Sequence, residues 1–151
     1  MEQKANYRNN ARSQALATFL NVTRDEISNA TYGAPAYARG ESEYLVLTDR
    51  EADSHTREYI EDSLWSFRTS FILDHIQGRD RAGINWDRVE RALEKMQGAL
   101  CEDANEIVRA MISNLRVFVQ DAISADGRGH FLAPYDGAEN EQDGFYIYRM
   151  N

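Results

Sequence analysis

The sequence predicts an α+β fold: a small bundle of three to four helices packed on a small, mainly antiparallel sheet of three strands. Three observations carry this expectation. The apolar run Tyr44-Leu45-Val46-Leu47 follows a segment of turn-forming residues. Helical periodicity then dominates from Asp49 to about Ala125. The chain closes on a second strand-like run, Phe145-Tyr146-Ile147-Tyr148-Arg149. With 151 residues it is expected to form a single domain over 1–151, in segments 1–48, 49–125 and 126–151.

A polar lead containing Lys4, Arg8 and Arg12 opens the chain, and Met1 to Arg12 does not read as a signal peptide. Ala11, Ala15, Leu16, Phe19 and Leu20 then fall at helical spacing, with Asn9 or Asn10 as the N-cap. Thr23-Arg24-Asp25-Glu26 has capping-box spacing and predicts a very short second helix. Ala30 to Ser42, punctuated by Gly33, Pro35 and Gly40, reads as loop, and 43–48 as the first strand.

Thr48 or Asp49 is expected to cap a long helix reaching Ile76 and ended by Gly78. Ala52, Tyr59, Ile60, Ser63, Leu64, Phe67 and Phe71 form its apolar stripe. Another helix starts near Asn85, with Trp86, Val89, Leu93 and Met96 on one face. A third starts near Glu102 and keeps its period through Ile107, Met111, Leu115, Val119 and Ile123. Asp126-Gly127-Arg128-Gly129-His130 reads as a turn, 130–133 as a short strand and Pro134 to Gly144 as an acidic loop. The strand at 145–149 closes a hairpin that the 43–48 strand can join, because two strands alone are marginal in water. Either Tyr146 and Tyr148 or Phe145 and Ile147 face the helices.

Composition narrows the function. A 42% hydrophobic content is too high for a disordered chain, and no apolar run approaches the roughly 20 residues of a membrane span. The single cysteine, Cys101, forms no intramolecular disulfide, which suits a reducing cytoplasm. Seventeen basic against 25 acidic residues give a net charge of −8. Direct nucleic-acid binding is therefore not expected, whereas a basic protein partner is.

Several clusters are candidates for chemistry. His130, followed by Asp136, Glu139 and Glu141, could ligate a metal or act as a base; the simpler reading is a helix-to-strand turn shaped by Gly127 and Gly129, with Arg128 pairing an acid. His55 and His75 lie 20 positions apart and complete no metal motif. Asp136 to Glu141 lacks the calcium-loop ladder and reads as a solvated loop. Cys101 sits beside Glu102 and Asp103, which disfavours a thiolate. There is no nucleophile elbow and no phosphate-binding glycine loop. The expectation is a protein that is not an enzyme and uses no metal or cofactor.

The long helix offers more. Glu51, Glu58, Glu61 and Asp62 share roughly a 100° sector, continued by Trp65, Ile72 and Ile76. Segments 49–62 and 121–151 each hold six acidic and two basic residues. Rows of carboxylates at helical spacing can imitate a phosphate backbone for a nucleic-acid-binding protein, with the apolar end as anchor or as covered core. The expected partner-binding residues are Glu51, Glu58, Glu61, Asp62, Trp65, Asp136, Glu139 and Glu141.

The blocks Glu43-Tyr44-Leu45-Val46-Leu47-Thr48-Asp49 with Glu51-Ala52-Asp53, then Tyr59-Ile60 and Ser63-Leu64-Trp65 with Phe67, and Asp126-Gly127-Arg128-Gly129-His130 with Tyr135-Asp136-Gly137, Tyr146-Ile147-Tyr148-Arg149 and Asn151, resemble small proteins common in bacteriophages and other mobile elements. The resemblance spans about two-thirds of the chain and assigns no catalytic residue. It implies a phage-type gene expressed in a bacterial cytoplasm. The resulting expectation is a stoichiometric anti-defence inhibitor, similar in kind to anti-CRISPR or anti-restriction proteins, that binds a basic host defence or nucleic-acid-processing protein. The alternatives are a small accessory or metal-dependent enzyme centred on His130, and a phage replication or assembly adaptor. The oligomeric state is left open, a homodimer included.

Overall fold

The computed structural model describes residues 2–151, with side chains from Asn10 onward. Met1 and the side chains of Lys4 and Arg8 lie outside the described residues. The helices are α1 (Glu2–Leu20), α2 (Asp49–Asp62), α3 (Thr69–Leu73), α4 (Trp86–Leu100), α5 (Asn105–Met111), α6 (Leu115–Asp126) and α7 (Arg128–Leu132). The strands are β1 (Ser28–Asn29), β2 (Ala36–Arg39), β3 (Ser42–Leu47), β4 (Asn140–Gln142) and β5 (Phe145–Arg149). The fold is α+β, and the chain divides into two compact units: unit 1 is Met1–Thr56 with Asp126–Asn151, and unit 2 is Arg57–Ala125.

Unit 1 holds an antiparallel sheet of five described strands in the order β1-β2-β3-β5-β4, not three. The expected strands at 43–48 and 145–149 are β3 and β5, paired through Val46↔Ile147. Three further strands form: β1, and in segments expected to be loops β2 and β4. β2 returns onto β3 with Arg39 opposite Ser42, and β4 meets β5 with Gln142 opposite Phe145. The latter turn is Asp143-Gly144, with φ of 54° and 80°; two positive φ values make the mirror-type turn that matches strand twist. The expected strand at 130–133 is instead the helical turn α7, closed by Ala133 N–H donating to Gly129 O at 2.9 Å. α1 also begins before Asn9 and Asn10, so neither is its N-cap. The short helix predicted after Thr23 is present as a 3-10 turn, Arg24–Glu26, with its capping box formed.

Both faces of the sheet are covered, which explains why β3 is apolar without alternation. Leu16 of α1 packs with Tyr37, Tyr44, Val46 and Ile147 on one face. Leu45, Leu47, Tyr146 and Tyr148 pack with Ala52, Leu132 and Ala133 on the other. The two residue sets of β5 are therefore both used, on opposite faces.

In unit 2 the expected long helix stops at Asp62 and resumes as α3 after a 3-10 turn, Leu64–Ser66. The break is held by Asn105, whose Nδ2 donates to Glu61 O at 2.8 Å and whose Oδ1 accepts Trp65 N–H at 3.1 Å. Arg109 Nη2 adds a bond to Glu61 O at 3.0 Å. These side chains satisfy groups that a continuing helix would have paired. The third expected helix is likewise split into α5 and α6. Ile112 leaves the helix to bridge Ile76, and Asn114 caps α6 by accepting Val117 N–H at 3.2 Å. α4 is capped as expected, Asn85 accepting Arg88 N–H at 3.2 Å. Phe67, Phe71 and Phe118 build the aromatic core, with Ile60, Leu64 and Ile72 buried, whereas Tyr59, expected in the stripe, is 50% exposed.

Candidate functional site

The start of α2 organises the charged chemistry of unit 1. Thr48 N–H donates to Glu51 Oε2 at 3.0 Å and Glu51 N–H donates to Thr48 Oγ1 at 3.3 Å, a complete capping box. The same carboxylate accepts both Nη atoms of Arg12, at 2.6 and 2.7 Å, and Arg12 Nη1 also donates to Val46 O at 2.7 Å. Glu51 is thus a strut between α1, β3 and α2, with its side chain 38% exposed. The Arg12 hydrogen bonds, opposed by burial and aided by Thr48, lower its pKa from 4.5 to about 2. A folded-state pKa below the unfolded one gives stability that is full above the unfolded value and is lost as pH falls through the folded one. Acid titration of the parent should therefore show stability falling between about pH 4.5 and 2. In Glu51→Gln that part of the loss should be absent, as read by thermal melts across the same range.

Asp49 and Asp53 stand one turn apart on α2 and both reach Arg128 on α7. Arg128 Nη1 donates to Asp49 Oδ1 and Asp53 Oδ1, each at 2.9 Å, and to Asp49 O at 3.2 Å. Its Nε and Nη2 fork onto Glu139 at 2.8 and 3.1 Å. Tyr148 Oη donates to Glu139 Oε2 at 2.5 Å, and the guanidinium lies 4.6 Å from the Tyr146 ring centroid. Arg128 is 11% exposed, whereas Asp49 and Asp53 are 68% and 58% exposed. The Glu139 hydrogen bonds raise the Arg128 pKa further. Burial raises the pKa of Glu139, but the Arg128 and Tyr148 bonds outweigh it and leave the carboxyl below its ordinary value. Burial and Glu139 together push the Tyr148 hydroxyl well up.

Gly129 lets this cluster close. A Cβ there would stand 2.4 Å from Gly137 O and 2.9 Å from Glu139 N, so the loop bearing Glu139 crosses α7 where only a hydrogen fits. That loop is fixed by Gly137 N–H donating to Ala133 O at 2.7 Å and by Asp136 Oδ1 accepting Ala138 N–H at 3.0 Å. Gly129→Ala must displace backbone, and overpacking of this kind costs about 1–3 kcal/mol. At roughly 2–4 °C per kcal/mol for this size, a calorimetric melt should drop by several degrees.

The remaining sequence assignments separate. Glu58 and Asp62 are exposed on the second half of α2, while Glu61 is half-buried and its carbonyl anchors Asn105 and Arg109. Trp65 is half-buried, and Ile72 and Ile76 are buried within unit 2. Asp136 and Glu141 are exposed, and Glu139 belongs to the Arg128 cluster. His130 is exposed and rests against the Phe131 ring, while the carboxylates of Asp136 and Glu139 are engaged elsewhere. Among the described residues no group of three or more His, Cys, Asp or Glu is placed to hold a metal ion.

Asp49 and Asp53 were missed as site residues, although their four-residue spacing next to a capping box placed both at one end of a helix. Among the described residues, no helix is long and apolar enough to cross a membrane. No protein-family model, curated protein or solved structure matches the chain.

Proposed function

We propose that this chain is a stoichiometric host-interaction protein of anti-defence type, of the anti-CRISPR or anti-restriction kind. It binds a basic host defence or nucleic-acid-processing protein through the carboxylate surface of unit 1. The supporting observation is the Arg128 arrangement, in which one guanidinium orders three carboxylates and leaves Asp49 and Asp53 more than half exposed. Three acids around one base keep that surface negative, and exposed Asp136, Glu141 and Asp143 extend the acidic character. Unit 1 carries thirteen acidic and eight basic residues, net −5. Carboxylates already held in place lose less side-chain freedom on binding, so a basic surface meets a preformed pattern. The same charge repels a nucleic-acid backbone, which directs the reading toward a protein partner in the bacterial cytoplasm.

The experiment is a plating assay on bacteria that carry a restriction or CRISPR system. Expression of the chain should raise the plating efficiency of a sensitive phage. The double variant Asp136→Asn/Glu141→Lys, which keeps the amide acceptor for Ala138 N–H, should lose the effect with little change in melting temperature. Unchanged plating on strains of both kinds would overturn the reading.

A further inference from the structure

We propose that unit 1 also carries a separate pocket that takes the carboxylate or phosphate head group of a small organic anion. The pocket has a volume of about 300 Å³ and is lined by Asn10 and Ser13 of α1, Arg24, Ser28 and Asn29 of β1, and Tyr37 of β2, with Ile27 as an apolar wall. That size is at the lower end of small-molecule sites and suits a metabolite, not a macromolecule.

Arg24 supplies the charge. Its Nε donates to Ser13 Oγ at 3.2 Å and its Nη2 donates to Asn10 Oδ1. Both acceptors are neutral. Among the described residues Arg24 has no carboxylate within ion-pair distance, whereas Arg12, Arg39 and Arg128 each have one. A guanidinium has five N–H donors in a rigid fork, so two fixed bonds set its plane and leave donors for a bidentate acceptor. The Ser13 hydroxyl donates to Asn10 O at 3.2 Å, which leaves its oxygen to receive Arg24. The support is therefore built from α1 outward and does not depend on a ligand to order it.

The rest of the lining is consistent with an anion. None of the described lining residues is acidic, in a unit of net charge −5. Tyr37 is 2% exposed, and burial holds its hydroxyl protonated. Ser28 and Asn29 line it from β1, the edge strand of the sheet. Among the described lining residues one cation stands beside neutral polar residues, which favours a carboxylate or a phosphate ester over a cationic or apolar ligand. None of the residues of the Arg128 cluster lines the pocket, so this site stands independently of the partner-binding proposal.

The test is an NMR titration of the full chain at constant ionic strength with glutarate, phosphoserine and, as control, chloride. Glutarate or phosphoserine should shift the Ser28 and Asn29 amides and the Arg24 Nε–H saturably, with a Kd of about 1 mM or tighter. Saturation by glutarate shows that a carboxylate suffices, whereas saturation by phosphoserine alone assigns the site to its phosphate. Arg24→Gln should weaken binding about tenfold or more, as expected for loss of a charge-assisted donor. Ser28→Asp, which leaves both Arg24 bonds in place, should weaken it similarly by repulsion. Failure of both probes to saturate, equal shifts with chloride, or undiminished binding by Arg24→Gln would overturn the proposal.

Discussion

Deleting the residues after Gly144 is expected to abolish cooperative unfolding of unit 1. β5 lies between β3 and β4, so its loss removes a central strand and leaves β4 without a ladder. Ile147 and Tyr148 are 0% exposed and serve opposite faces of the sheet. Burial of such side chains contributes about 1.5–3 kcal/mol each, against a total stability of about 5–15 kcal/mol. Tyr148 also holds Glu139 in the Arg128 cluster. Tyr37 and Tyr44 remain in the truncated chain, so near-ultraviolet circular dichroism of tyrosine can follow the unit. The signal should lose its sharp thermal transition. A transition at the parent temperature would show that the strand is dispensable.

The second large effect is expected at Arg128. In Arg128→Met, Asp49, Asp53 and Glu139 face one another without a cation, and Glu139 keeps only the Tyr148 hydroxyl among these partners. Breaking a buried pair costs about 3–5 kcal/mol; the exposure of Asp49 and Asp53 discounts this to about 2–3 kcal/mol. Arg128→Lys should fall between, because one ammonium cannot reproduce a fork and a two-carboxylate bridge. pH gives the signature. The folded Glu139 pKa lies below its ordinary 4.5, so the parent loses stability as pH falls through that region. In Arg128→Met the Arg128 bond that lowers the Glu139 pKa is gone, so Glu139 titrates higher and its protonation relieves the repulsion. The stability gap between the two proteins should therefore narrow in acid and widen toward neutral pH. A gap independent of pH would mean that Arg128 acts only through packing.

The strands that the sequence made legible are those that burial alone specifies. β3 and β5 are dense apolar runs because both faces of the sheet are covered. β2 was hidden by its small residues and by Gly33, Pro35 and Gly40 around it. β4, Asn140-Glu141-Gln142, is polar and exists because β5 offers a ladder; Asp143-Gly144 was the local signal that could have revealed the hairpin. The Phe131-Leu132-Ala133 run suggested a strand, but the approach of the 137–139 loop to Gly129 belongs to a helical turn. The breaks after Asp62 and at Ile112 depend on Asn105, Arg109 and the Ile76 bridge, contacts made across long sequence separations. Of the site, the acidic character of α2 was legible but the allocation of each acid was not. Glu51 looked equivalent to Glu58 by helical angle, and only the position of Arg12 distinguishes them. The sequence blocks 43–53 and 126–149 meet at Arg128: Asp49 and Asp53 come from one, and Arg128, Tyr146 and Tyr148 from the other.

We propose that the acidic surface of unit 1, the carboxylates held by Arg128 together with exposed Asp136 and Glu141, faces a basic partner. The most direct measurement is the affinity for a purified restriction nuclease or CRISPR effector from a strain on which the chain raises phage plating, at low and high salt, for the parent and for Asp136→Asn/Glu141→Lys. Exposed charges act over a Debye length of about 8 Å at physiological ionic strength and contribute little to folding. Binding should weaken as salt rises, duplex DNA should compete for the partner, and the variant should associate more slowly while melting with the parent. Affinity that resists salt and survives the charge change would contradict the account.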